Sequence, residues 1–130
     1  MNDLILELKN EHAAILGILD QARALGISTP AGQDKLLAAR DLLLAHVRKE
    51  DEHYYPGLRK AAETRSDLKV TLDYFVADME RVSAKALQVF DRFARGGDEA
   101  AFGGEIKILY VLLRDRIRTE EETLFRKFPG

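Results

Sequence analysis

The segment that begins at His46 carries the side chains in this chain that are best suited to bind a ligand or take part in chemistry. On a helix, His46, Glu50 and His53 occupy positions i, i+4 and i+7, so they project from one face. An imidazole and a carboxylate one helical turn apart can act together as metal ligands. The same pair is also common on helix surfaces, where it binds nothing. For His53, a surface position near the helix end is the favoured interpretation, and a further metal ligand is the alternative.

A second candidate, His12, lies inside an apolar stripe rather than opposite it. Apolar residues recur at spacings of three and four around it, as on the inward face of a helix. These residues are Leu4, Leu8, Ile15, Leu16, Leu19 and Ala22. A lone inward histidine is more often a hydrogen-bonded core residue than a ligand, so both interpretations of His12 stay open.

Four helices are predicted to position these side chains. The first begins near Asn2 or Asp3, both good N-caps, and ends at Gly26. Thr29 and Pro30 are suited to the start of the second helix, which is predicted to run to about residue 55. The third helix is predicted over residues 66–94, and the fourth follows residue 98 and ends near residue 128.

Two sequence features predict breaks in these helices. Pro56 and Gly57 are expected to end or kink the second helix, and Gly103 with Gly104 is expected to interrupt or delay the fourth. The third helix carries a wholly apolar inward stripe. Helices of this length with short links predict an all-α, antiparallel up-down-up-down four-helix bundle.

Length and composition limit the class of protein further. A chain of 130 residues is expected to form one domain, over residues 1–130. The net charge of −2 gives no electrostatic case for a nucleic acid or membrane partner. The absence of cysteine excludes thiolate ligands and cysteine nucleophiles. Without a long apolar run or a signal pattern at the N-terminus, the sequence predicts a soluble, cytoplasmic protein.

The end of the second helix recurs 70 residues later, at the end of the fourth. Glu50 aligns with Glu120 in this repeat. The other matching pairs are Leu42 and Leu43 with Leu112 and Leu113, Val47 with Ile117, Arg48 with Arg118, Glu52 with Glu122, and Tyr55 with Phe125. The agreement predicts two related helical hairpins, and chance similarity between amphipathic helices is the alternative. A pseudo-twofold axis between the hairpins would bring Glu50 and Glu120 together across the core.

With these motifs the chain resembles the hemerythrin-like family, also called the HHE cation-binding domain. The motifs, in order, are Glu11-His12-x-x-Ile15, His46-x-x-x-Glu50-Asp51-x-x-Tyr54-Tyr55-Pro56 and Glu120-Glu121-x-x-Leu124-Phe125. The resemblance implies a four-helix bundle that holds two non-heme irons, ligated typically by five histidines and bridged by two carboxylates. It also implies oxygen binding, or sensing of oxygen, redox state or iron.

The resemblance transfers only part of the family's ligand set to this chain. The ligand positions that keep suitable residues are His12, His46, Glu50 and Glu120. At the other positions the family's histidines are replaced by Phe75, Met79 and Arg116. A thioether is a soft ligand, and a guanidinium has no lone pair to donate. We therefore expect one divalent metal, iron or zinc, rather than an ordinary di-iron centre.

Two functions follow as hypotheses. The first is a metal-binding or sensing domain with an altered, mononuclear or depleted centre. The second is a metal-free interaction or regulatory bundle, with a protein partner, in which Arg116 pairs with Glu50 and Glu120 in a buried network. Oxidase-like catalysis is not expected, because the second metal position has lost its ligands, so the protein is not expected to be an enzyme.

Overall fold

The computed structural model describes residues 3–129, which form a four-helix bundle and contain no strand. The helices are α1 (Asp3–Leu25), α2 (Pro30–Lys49), α3 (Tyr55–Ala62), α4 (Ser66–Phe93), α5 (Glu99–Thr119) and α6 (Phe125–Lys127). A π-helical turn joins α2 to α3 (Glu50–Tyr54), and a second joins α5 to α6 (Glu120–Leu124). Because each π turn joins two helices end to end, the six helices form four continuous rods: α1, α2 with α3, α4, and α5 with α6. The predicted all-α four-helix bundle is confirmed. The predicted N-cap Asn2 lies outside the described residues.

Three helix boundaries lie where the local sequence signals placed them. Gly26 ends α1 with a φ of 74°, a left-handed conformation that glycine adopts without strain. Thr29 is the N-cap of α2 by its extended backbone, although its side chain makes no capping bond, and Pro30 occupies the first turn. The Asp98 side chain caps α5 by accepting a hydrogen bond from the Ala100 N–H at 3.0 Å.

The two predicted breaks do not interrupt the rods. Pro56 lies in the first turn of α3, where its missing N–H costs little, so the second rod continues through it. Gly103 and Gly104 lie inside α5, which begins before them at Glu99. Helix packing on either side of these two glycines outweighs their low helix propensity.

The buried apolar side chains form two clusters along the bundle, and each rod passes from one to the other. The first cluster includes Ile15, Leu43, Val82, Phe93, Ile106 and Leu113. The second includes Leu8, Tyr54, Tyr55, Phe75, Leu124 and Phe125. Buried polar residues lie between them: His12 on α1, His46 on α2 and Arg116 on α5. A polar layer in that place destabilises the fold unless its groups are paired.

The internal repeat extends to the pattern of burial. Five buried positions of α2 recur 70 residues later in α5: Leu36, Ala39, Leu43, His46 and the following Glu50 correspond to Ile106, Leu109, Leu113, Arg116 and Glu120. Four buried positions of α1 recur 67 residues later in α4: Leu8, Ile15, Leu19 and Ala22 correspond to Phe75, Val82, Ala86 and Val89. The two hairpins therefore bury equivalent faces.

Each π turn begins at an inward carboxylate, Glu50 or Glu120. The N–H of Tyr55 donates to the carbonyl of Glu50, five residues earlier, instead of four as in an α-helix. Tyr54 and Tyr55, where this turn ends, are both buried. The sequence pattern predicted a plain α-helix here, and π turns of this kind occur often at functional sites.

Replacing Gly103 or Gly104 by Ala should raise the free energy of unfolding by about 0.5–1 kcal/mol each. Both glycines are in the interior of α5, and a Cβ at either would meet nothing within 4 Å. Urea denaturation measures the change.

Gly26→Ala is the matched control and should destabilise the protein. Its φ is 74°, and its Cβ would lie 2.8 Å from a Glu99 carboxylate oxygen. Stabilisation at Gly26, or destabilisation at Gly103, would contradict the helix boundaries described above.

Candidate metal centre

The four side chains predicted as metal ligands converge in the polar layer between the two apolar clusters. One ligand atom from each of the four lies within 4.8 Å of the others, in the group His12, His46, Glu50 and Glu120. All four residues are buried, with 1–3% of their surface exposed. Among residues 3–129 this is the one group of histidines and acids with such geometry. Glu50 and Glu120 lie together in this group, where the pseudo-twofold axis of the repeat would bring them.

Each imidazole is oriented by a carboxylate at its Nδ1 atom. Nδ1 of His12 lies 2.7 Å from Glu121, and Nδ1 of His46 lies 2.8 Å from Glu11. A carboxylate can only accept in such a bond, so Nδ1 carries the proton, and in the neutral imidazole the lone pair lies on Nε2. This arrangement of carboxylate, histidine and free Nε2 is the one that metal-ligating histidines usually adopt.

The two Nε2 atoms face carboxylate oxygens instead of hydrogen-bond donors. Nε2 of His12 lies 3.1 Å from Glu120, and Nε2 of His46 lies 3.1 Å from Glu50. The buried atoms without a hydrogen-bond partner include Nε2 of His46, both carboxylate oxygens of Glu50 and Oε1 of Glu120. Buried polar atoms without partners are rare, because their desolvation is not compensated. A cation between them would satisfy all of these atoms together.

The chemistry of the donor set fits a divalent cation. Two imidazole nitrogens with carboxylate oxygens suit zinc and ferrous iron, both of which bind mixed nitrogen and oxygen ligands. The donors come from three of the four rods, since α4 contributes none. The side of the site that faces α4 therefore has no ligand, in line with the absence of histidines at the third-helix positions.

The two buried carboxyls differ in their electrostatic surroundings. Burial, and then the charge of Glu120, raises the pKa of Glu50. Burial also acts to raise the pKa of Glu120, but His12 and the charge of Arg116 hold that pKa below its ordinary value. Burial lowers the pKa of His46, but the nearby carboxylates outweigh it, so this pKa is raised. Protons and a metal cation therefore compete for Glu50 and His46.

Arg116 is buried beside the four ligands and is bonded on several sides. Its guanidinium donates to Glu120 at 2.9 Å, to Asp78 at 3.2 Å and to the Tyr55 hydroxyl at 3.3 Å. Its Cζ lies 4.6 Å from the centre of the Phe75 ring, within the range of a cation–π interaction. The prediction that an inward Arg116 would pair with a site carboxylate agrees with the structure, and the partner is Glu120.

The other two positions at which family histidines are missing lie on α4, beside Arg116. Phe75 is 1% exposed and forms the apolar face under the guanidinium. Met79 lines a cavity together with His12, His46 and Arg116, and its sulfur accepts a bond from the Ser83 hydroxyl at 3.3 Å. An apolar wall and a fixed cation therefore occupy this side of the site.

His53 lies outside the cluster. Its side chain is 63% exposed, and its nearest acidic partner is Glu52, at 3.8 Å. The reason is the π turn, in which each residue advances by a smaller angle than in an α-helix. As a result Tyr54, four residues after Glu50, lies inward, and His53 points to solvent. The alternative interpretation of His53 as a ligand is therefore wrong for this structure.

The orienting carboxylates Glu11 and Glu121 were not identified as part of the site from the sequence, although both stand in the motifs. Glu11 precedes His12, but adjacent helix residues do not face each other, so Glu11 binds the histidine of the neighbouring helix, His46. Lys49 pairs with the other side of Glu11. The available signal was an acid next to an inward ligand in two motifs, Glu11 beside His12 and Glu121 beside Glu120.

The family comparison agrees with this geometry. The model of the Hemerythrin HHE cation binding domain matches residues 3–128. The chain therefore belongs to the hemerythrin HHE cation-binding family, as its motifs indicated. Comparison with curated proteins and with solved structures gave no match. Over residues 3–129, no helix combines the length and the apolar character needed to cross a membrane.

Changing Glu121 to Gln should weaken divalent-metal binding about 10–100-fold, the usual effect of removing an orienting partner of a ligand. An uncharged amide holds the His12 Nδ1–H less strongly and lets the imidazole rotate. Competition against a chromophoric chelator measures the affinity. The neighbouring Glu122 is exposed, so Glu122→Gln should leave the affinity unchanged. Equal affinities for the two variants would contradict the orienting role.

Proposed function

We propose that this protein is a hemerythrin-fold domain that binds one divalent metal ion between its helices. The proposed ligands are His12, His46, Glu50 and Glu120. The observation that carries the proposal is the pair of imidazoles whose Nδ1 atoms are held by Glu121 and Glu11, so that both Nε2 lone pairs point at buried carboxylate oxygens.

The surroundings give each carboxylate a different role. Oε2 of Glu120 accepts a hydrogen bond from Arg116, which leaves Oε1 for the metal. Both oxygens of Glu50 are without partners, so Glu50 can offer one or two oxygens. The histidines contribute Nε2 as neutral imidazoles. Three or four protein ligands are the number that single zinc and iron sites commonly use.

Iron or zinc fits these ligands, and the choice decides the function. A bound iron would supply a centre that changes oxidation state, whereas zinc would supply a fixed charge without redox chemistry. We propose iron-dependent sensing of oxygen, redox state or iron itself as the leading role, as the family resemblance implies. We also propose that the domain is not an enzyme, since the ligands on α1, α2 and the π turns serve only one metal position.

A metal-free interaction bundle is the second candidate function. It is supported by the hydrogen bonds from Arg116 to Glu120, Asp78 and Tyr55, which give the buried layer positive charge without a metal. In that case the bundle would act through a protein partner, and the remaining ligand residues would have a structural role only.

Anaerobic titration of the metal-free protein with Fe(II) and with Zn(II) separates the two candidates. We expect saturable uptake of one equivalent and a rise in melting temperature, because an ion that binds only the folded state stabilises it. A ligand present at about 100 times its Kd adds roughly 2.7 kcal/mol. Competition between the two metals then shows which one is preferred.

The control for this titration is the double variant His12→Ala, His46→Ala. It should lose the uptake and the metal-dependent rise in melting temperature. His53→Ala, which changes an exposed histidine, should keep both. Uptake by the parent that remains in the double variant, or no saturable uptake by the parent, would count against the proposed ligands and favour the metal-free bundle.

A further inference from the structure

We infer that Arg116 takes the place of a second metal cation in this centre. It balances the charge of the buried carboxylates from the side where a second metal would otherwise lie, and so limits the site to one divalent ion. This inference rests on the proposed binding of one metal, and it adds a residue that selects the number of ions the site can hold. Three independent observations support it.

The first observation is a correspondence between the two halves of the repeat: Arg116 contacts two acids in one half, as His46 does in the other. His46 lies against Glu11 and Glu50. Shifted by the repeat offsets, those acids become Asp78 and Glu120, and Arg116 lies against both. The carboxylates of the second half-site are therefore kept, and the group between them has changed from an imidazole to a guanidinium.

The second observation is the charge of the buried layer. Ionised Glu50, Glu120 and Asp78 bring three negative charges, and Arg116, which lies against two of these acids, brings one positive charge. With neutral histidines, one divalent ion changes the sum from −2 to 0. A second divalent ion would give +2 at a largely buried site, which desolvation makes unfavourable. Without Arg116, one ion would leave −1, so a second ion would meet a negative site.

The third observation is that the guanidinium is held by both of its terminal nitrogens and by an aromatic ring. Glu120 and Asp78 accept from different nitrogens, and the Phe75 ring lies against the guanidinium. Burial raises the pKa of Tyr55, so its hydroxyl stays protonated, and its oxygen accepts from Arg116 at 3.3 Å. A second ion could enter only if Arg116 broke all three hydrogen bonds and left the ring.

If Arg116 and the metal share the same carboxylate charge, each must weaken the effect of the other, because such coupling is reciprocal. The test compares the rise in melting temperature on saturating Zn(II) in the parent and in Arg116→Met. We expect the metal-free variant to melt at a lower temperature than the parent. We also expect its zinc-dependent rise to exceed that of the parent by about 5 °C or more.

Two further variants separate charge from packing. Arg116→Lys keeps the charge, and its zinc-dependent rise should return towards that of the parent. Arg118→Met removes an exposed arginine from the same helix and should behave as the parent. If zinc stabilises the parent but the rise in Arg116→Met is equal or smaller, Arg116 acts only through packing and the inference is overturned. If zinc stabilises neither protein, the proposed metal function is overturned together with it.

The number of bound ions gives a second measurement. Phe75→His with Met79→His supplies two imidazoles on α4, at the positions beside Arg116. With Arg116 kept, this double variant should still bind one equivalent of Zn(II), measured by metal analysis after gel filtration. With Arg116→Met added, it should bind two. Two equivalents in the presence of Arg116, or one in its absence, would overturn the inference.

Discussion

The bundle is arranged around the charge of two buried carboxylates, Glu50 and Glu120. Side by side in the middle of an apolar core, they need positive charge from groups that the fold brings to them. Arg116 supplies it to Glu120 through a bond of 2.9 Å. Glu50 receives no such bond from a fixed positive charge, and the imidazole of His46 lies 3.1 Å from it. Burial, and then the charge of Glu120, raises the pKa of Glu50, which is the electrostatic sign of that deficit. A metal ion held by the two histidines would remove it.

The bundle is built around this layer at some loss of stability. Apolar clusters lie on both sides of it, and a continuous apolar core would bury more hydrophobic surface without the desolvation of charged groups. The two π turns occur at the same level and begin at the two acids. Local departures from regular structure together with a costly polar layer are the pattern expected where a site, rather than packing, determines the sequence.

Much of the fold and part of the site could be predicted from the sequence. The apolar stripes and the signals at Gly26, Pro30 and Asp98 gave the helices, and the 70-residue repeat placed Glu50 opposite Glu120. Local signals failed where packing outweighed them. Pro56 was predicted to end or kink a rod that runs on, because it lies in the first turn of α3, where its missing N–H costs little. The glycine pair in α5 was expected to interrupt or delay its helix, but packing on either side outweighs a low helix propensity.

The order of residues fixes which side chains are available and which helix faces they share: two inward histidines, two inward acids, and an arginine, a methionine and a phenylalanine where family members carry histidines. Which of these groups meet depends on the packed bundle. Glu11 orients His46 rather than its neighbour His12, the π turn points His53 to solvent, and Arg116 bonds to Asp78. The physical reason is that helical periodicity fixes directions within one rod, whereas contacts between rods depend on how the rods pack.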